Sequence, residues 1–155
     1  LYTNTLNPYF NDHIDENWSQ KIDRVRALLQ QESELNEIVS LVGFDSLGEK
    51  DRLNLECARS IREDFLQQNA FREVDRFTPP EKQAEMLDSI LYWFDLASAA
   101  VQDGASCTDA TPEDLMMRIA AMKYEPEDTW ASYYQSLRAD LQTYFRTLDR
   151  KGGDE

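Results

Sequence analysis

The sequence predicts an all-α protein, a compact bundle of five or six helices in one domain. Three observations carry this reading. Large apolar residues recur at spacings of three and four in every long segment, and the segments open on residues that cap helices. No window sustains the apolar–polar alternation of a half-buried strand, and no unit repeats at a solenoid period. With 155 residues, 41% hydrophobic and 30% charged, the chain suits a single core of ordinary size and is no disordered tail.

Residues 1–14 are rich in Asn, Asp and Thr, are broken by Pro8, and read as a linker whose Tyr2, Tyr9 and Phe10 could dock on a neighbour. The helical domain is expected over 15–149. Trp18, Ile22, Val25 and Leu29 share one helical face, and a second, short helix is expected through Leu35, Ile38, Val39 and Val42. Gly43 is placed to end it in a left-handed conformation.

Ser46 stands three residues before Glu49, the spacing of a capping box, so a helix is expected to start near Gly48. Leu53, Cys57, Ile61 and Phe65 form its stripe down to about Gln68. Thr78-Pro79-Pro80-Glu81 repeats the capping logic with proline in the first turn, where a missing amide costs nothing. The apolar face Met86, Leu87, Ile90, Leu91, Phe94, Ala97 and Val101 marks the central buried helix, ending at Gly104.

Cys107 is expected in a polar loop. Thr111-Pro112-Glu113-Asp114 then opens a helix with Leu115, Ile119 and Met122, and Met116, Met117 and Met122 read as core filler. The last helix, about 127–149, carries a heptad-like seam of Trp130, Tyr134, Leu137, Leu141, Tyr144 and Leu148 that needs a partner helix. Residues 150–155 read as a flexible tail.

Sixteen basic against thirty acidic residues give a net charge of −14, with no basic cluster to track phosphates, so nucleic acid is not an expected partner. No apolar run reaches the length of a membrane span, and the first ten residues lack the pattern of a signal peptide, so no membrane insertion and a cytoplasmic location are expected. The two cysteines, Cys57 and Cys107, make neither a disulfide framework nor zinc spacing and read as free thiols. The single His13, among Asn11, Asp12 and Asp15, reads as a surface residue.

The usual enzymatic constellations do not assemble. There is no glycine-rich phosphate loop, no serine or cysteine nucleophile with a histidine to activate it, and no histidine pair for a metal. Glu32, Glu34 and Glu37, like Glu125, Glu127 and Asp128, read as solvated helix surface and first-turn charge. Chemistry alone points to a helical interaction module.

Two continuous blocks add to that reading. Glu32-Ser-Glu-Leu-Asn-Glu-Ile-Val-Ser-Leu-Val-Gly43 and the stretch 53–75, with Ala58-Arg-Ser-Ile-Arg-Glu-Asp-Phe-Leu-Gln-Gln-Asn-Ala-Phe-Arg-Glu-Val-Asp75, closely resemble the C-terminal domain of the catalytic A subunit of V/A-type rotary ATPases. Pro79 to Leu91 continues the resemblance, which thins after about Asp95. It implies a β-barrel and a phosphate-loop domain upstream, ATP or ADP with Mg²⁺ bound in the intact subunit, and hydrolysis or synthesis at interfaces with a B subunit. It also implies a place on the membrane periphery in an ATP-driven H⁺ or Na⁺ pump or synthase. The chain's abrupt start at Leu1 fits a segment of such a subunit, which alone would lack the catalytic lysine, carboxylate and Mg²⁺ ligand. The competing expectation is a free-standing helical scaffold of the same ancestry.

The resemblance carries two sites. Asp45-Ser46-Leu47-Gly48-Glu49-Lys50-Asp51 aligns with the acidic helix-turn-helix element that presses on the central rotor stalk in the related F-type β subunit, although Gly48 and Lys50 dilute its acidic pattern. Phe65-Leu-Gln-Gln-Asn-Ala-Phe71 is where the family places aromatic side chains against adenine. Phe71 ranks first, with Gln68 and Asn69 at the rim, whereas Phe65 lies on the apolar stripe and reads as core.

Overall fold

The computed structural model describes residues 16–66 and 80–153. Among these residues there are six α-helices and no strand, in agreement with the all-α expectation. They are α1 (Trp18–Val42), α2 (Glu49–Ser60), α3 (Pro80–Gln102), α4 (Cys107–Ala110), α5 (Glu113–Ala121) and α6 (Trp130–Gly153). A π-helical turn, Ile61–Leu66, prolongs α2, and 3-10 turns lie at Phe44–Ser46 and Met122–Tyr124.

One core joins them. The α2 stripe Leu53, Cys57 and Ile61 is fully buried against Leu87, Ile90, Trp93 and Ala97 of α3 and Trp18, Ile22, Val25 and Leu28 of α1. Each large aliphatic side chain so buried contributes roughly 1.5–3 kcal/mol relative to exposure. The seam of α6 finds its partner inside the molecule, because its most extensive packing is against α3, with Tyr134, Leu137, Leu141 and Phe145 buried.

Buried and half-buried aromatics also carry polar tips that hold the short elements. Trp93 donates its indole N–H to the Ala110 carbonyl at 2.9 Å, and the Tyr144 hydroxyl donates to the Asp109 carbonyl at 2.6 Å, fixing the end of α4. Tyr133 and Tyr134 likewise donate to the carbonyls of Arg118 and Met122 at the end of α5.

Several expectations are corrected. The two short helices expected before Gly43 are one 25-residue helix, α1. Its polar interruption is bridged because Leu28 and Leu35, a heptad apart, are both buried. Glu32 is not simply solvated, since Arg62 grips its carboxylate with two guanidinium nitrogens at 2.7–3.2 Å. Cys107 opens α4 and is buried, so it is not in a loop. Met122 is fully buried and Met116 packs on the core, but Met117 is 62% exposed. The last helix starts at Trp130, later than expected, and runs to Gly153, into the stretch read as a tail.

Residues 1–14, with the linker aromatics and His13, lie outside the described residues, as do Thr78 and Pro79 of the expected α3 cap. Both cysteines are free.

Candidate functional site

The turn between α1 and α2 is built by glycine geometry and then locked by long-range polar contacts. Gly43 leaves α1 at φ 93°, ψ 157°, a region accessible almost only to glycine, and its amide donates to the Val39 carbonyl at 2.8 Å. The φ is positive as expected, but the ψ lies far from the left-handed helical well. The Ser46 hydroxyl then donates to the Gly43 carbonyl at 2.6 Å, and Leu47 turns into the interior.

The capping box is not formed. The N-cap residue of α2 is Gly48, which offers no side chain, and Ser46 bonds backwards instead of forwards. Glu49 turns away from its own helix start and accepts the Cys107 amide at 2.6 Å, bonding α2 to α4. Lys50 donates to the Ser98 hydroxyl at 2.9 Å and lies 4.7 Å from the centre of the Phe94 ring, binding the turn to α3. Arg52 donates to the Leu47 carbonyl at 3.1 Å and stacks 4.7 Å over the Phe44 ring, with Asp45 3.9 Å away.

The seven residues singled out in this turn therefore have different surroundings. Asp45, Ser46 and Gly48 are exposed, Asp51 is half-buried, Leu47 is buried, and the charged ends of Glu49 and Lys50 are engaged within the chain. Beside them, sequence reasoning gave no role to Leu41 and Phe44, and it set Ile38 and Val42, which the structure leaves open to solvent, on a shared apolar face with Leu35. Ile38, Leu41, Val42 and Phe44 are 43%, 83%, 66% and 48% exposed, and they bring large apolar surface to the end of the bundle. The available signal was an apolar run continuing to the helix-ending glycine, past Leu35, the last buried residue of α1.

The second candidate region begins at the π-turn. Phe65 is half-buried against the core with its ring 6.2 Å from Trp18, which is the packing role expected for it. Phe71, Gln68 and Asn69 lie outside the described residues. The flanks are held from one place: Lys123 donates to the Glu63 carbonyl at 2.9 Å, while buried Lys82 donates to the carbonyls of Lys123 and Glu125, each at 2.8 Å. Beneath the turn, Asp64 is buried and accepts the Ser60 hydroxyl at 2.7 Å. Burial pushes its carboxyl above the usual range, and the Ser60 bond and the Lys123 and Arg59 charges recover only part of that.

Among the described residues no group of three or more His, Cys, Asp or Glu could hold a metal ion, and no helix is long and apolar enough to cross a membrane.

Among its described residues the chain is an all-α bundle whose helix-turn-helix end is held to α3 and α4 by Lys50 and Glu49. The chain belongs to the family of the C-terminal domain of V and A type ATP synthase, whose model matches residues 7–109. It is 44% identical over 138 residues to the A subunit of the A-type ATP synthase of Methanosphaera stadtmanae, covering 89% of this chain and 24% of that protein. It is 43% identical over 148 residues to the corresponding protein of Methanopyrus kandleri, 96% of this chain and 25% of that protein. To the V-type ATP synthase alpha chain of Clostridium botulinum it is 43% identical over 154 residues, 99% and 26%. The chain thus spans about a quarter of the length of these relatives.

Proposed function

We propose that the chain serves as the C-terminal domain of a catalytic A subunit in a rotary ATPase, an ATP-driven H⁺ or Na⁺ pump or the synthase run in reverse. In this role it meets the central stalk through the α1–α2 turn, closes the adenine side of a nucleotide site through the stretch around Phe71, and lies against a B subunit in the soluble sector at the membrane periphery. On this reading Mg²⁺ and the phosphates of ATP or ADP are held by other parts of the intact protein, where phosphoryl transfer takes place.

The observation that carries the reading is the tip itself. The side chains of Lys50 and Glu49 tie it to α3 and α4, while Leu41, Val42 and Phe44 remain exposed. A surface that must push or be pushed needs both properties, because a floppy turn dissipates displacement and a fully polar one gives a weak contact.

The test is to shorten the stretch 45–51 in the full-length protein within the complete ATPase, then to compare rotation and ion pumping with nucleotide affinity. Loss of coupled pumping with nucleotide binding retained is the expected result. Pumping and rotation left unchanged would reduce the turn to a helix connection.

A further inference from the structure

At the tip the charged ends of Glu49, Lys50 and Arg52 are engaged within the chain, whereas Asp45 and several large hydrophobic side chains face outward. Glu49 is consumed by the Cys107 amide, Lys50 by Ser98 and the Phe94 ring, and Arg52 by the Leu47 carbonyl and the Phe44 ring. What faces solvent is Ile38, Leu41 and Val42, gathered on one side of α1 by their three- and four-residue spacing, with Phe44 just beyond Gly43. Exposed carboxylates edge this patch: Glu34 and Glu37 lie one turn before Ile38 and Leu41, and Asp45 follows Phe44.

Large apolar side chains grouped on the surface of so highly charged a chain mark a contact, and the sign of the rim selects the partner. A second copy of this chain, at net charge −14, would set carboxylates against carboxylates, and an anionic lipid surface would be repelled in the same way.

We infer that the patch Ile38, Leu41, Val42 and Phe44 docks the apolar ridge of a partner helix whose edges carry Lys or Arg, met by Glu34, Glu37 and Asp45. The proposal rests on the stalk-contact reading and adds to it the chemistry of the contact: an apolar centre with a charged rim, in place of attraction between an acidic turn and a basic shaft. In this arrangement the apolar centre holds the partner, and the rim sets orientation and the response to salt.

The experiment uses the complete ATPase with three variants of the full-length protein. Leu41→Cys, treated with a bifunctional thiol-to-amine crosslinker, reports which subunit lies over the patch, and a central-stalk subunit is expected. Leu41→Gln/Val42→Gln is expected to lower the ions moved per ATP, because the turn slips against the stalk once its central apolar anchor is lost, with the melting temperature unchanged. Glu34→Gln/Glu37→Gln/Asp45→Asn is expected to flatten the salt dependence of coupling while retaining most of it at low salt.

Crosslinking to the stalk with full coupling in the Gln pair would overturn the apolar docking surface and leave the stalk-contact reading standing. Crosslinking only to a second copy, or to no stalk subunit, would remove both. A salt response unchanged by the rim variant would overturn the basic-edged partner.

Discussion

Glu49 and Cys107, 58 residues apart, are joined by a single short bond in which the carboxylate accepts a backbone amide at 2.6 Å. This contact fastens the start of α2 to the start of α4 and replaces the local cap that the sequence leads one to expect. Glu49→Ala should therefore destabilise the chain by about 1–3 kcal/mol, since a partly buried amide loses a charged acceptor. Ser46→Ala, at the other half of the expected box, should cost under about 1 kcal/mol, because its hydroxyl only tightens an exposed turn. Thermal melts of the two variants decide the matter, and equal losses would restore the capping box.

Asp64 gives the stability a pH signature of defined sign. Burial holds its folded-state pKa above the ordinary value of 3.8, so the native state binds the proton more tightly than the unfolded chain does. Its unfavourable contribution is complete above the folded pKa and is relieved as pH falls through that value towards 3.8. Asp64→Asn keeps an acceptor for Ser60 and carries no charge. The free-energy difference between variant and parent should move in the parent's favour as the pH is lowered from 7 to about 4, whatever constant offset the new amide introduces. Denaturant titrations across that range would contradict the assignment if the difference did not change.

The turn's two glycines separate conformational need from space. A side chain added at Gly43 or at Gly48 meets nothing within 4 Å, but only Gly43 has a positive φ. Gly43→Ala should cost about 1–3 kcal/mol from backbone strain alone. Gly48→Ala, at φ −75° and ψ 172°, should be neutral or stabilising by about 0.4–1 kcal/mol. Chemical denaturation of both tests the pair, and a tolerated Gly43→Ala would show that the turn can relax.

Phe65 and Phe71 should part in opposite directions. Phe65→Ala removes a half-buried ring beside Trp18 and should destabilise the chain, by about 3 kcal/mol at most given its partial exposure. Phe71→Ala, in the full-length protein, should weaken ATP binding while leaving the melting temperature of the chain close to that of the parent. Early melting with unchanged nucleotide affinity would return Phe71 to ordinary packing.

What could be read from the sequence divides along the range of the forces involved. The stripes through Leu53, Cys57 and Ile61 and through Leu87, Ile90 and Phe94 are periodic in themselves, so burial follows from spacing. The continuity of α1 was hidden because Glu32 is satisfied by Arg62, a residue that no local pattern connects to it. The capping error has the same origin, in that a distant amide outcompeted the local one for Glu49. At the candidate tip, resemblance gave the position of the turn. Which of its residues point outward depended on the Lys50 clamp to Ser98, which exists only once α3 is packed alongside, and on Arg52 folding back over the Leu47 carbonyl and the Phe44 ring.

Burial of the two cysteines has a practical consequence for studying the tip. Their thiols are pushed up to about 12 at Cys57 and about 11 at Cys107, chiefly by removal from water. At neutral pH the reactive thiolate at either position is roughly a hundredfold or more scarcer than on an ordinary cysteine, and both sulfurs are also shielded from reagents. The native domain is thus close to silent towards maleimides without any cysteine being removed. One cysteine placed at a solvent-facing position of the turn would take up a fluorophore or spin label selectively, giving a reporter of distance changes at the tip in a domain whose core chemistry is untouched.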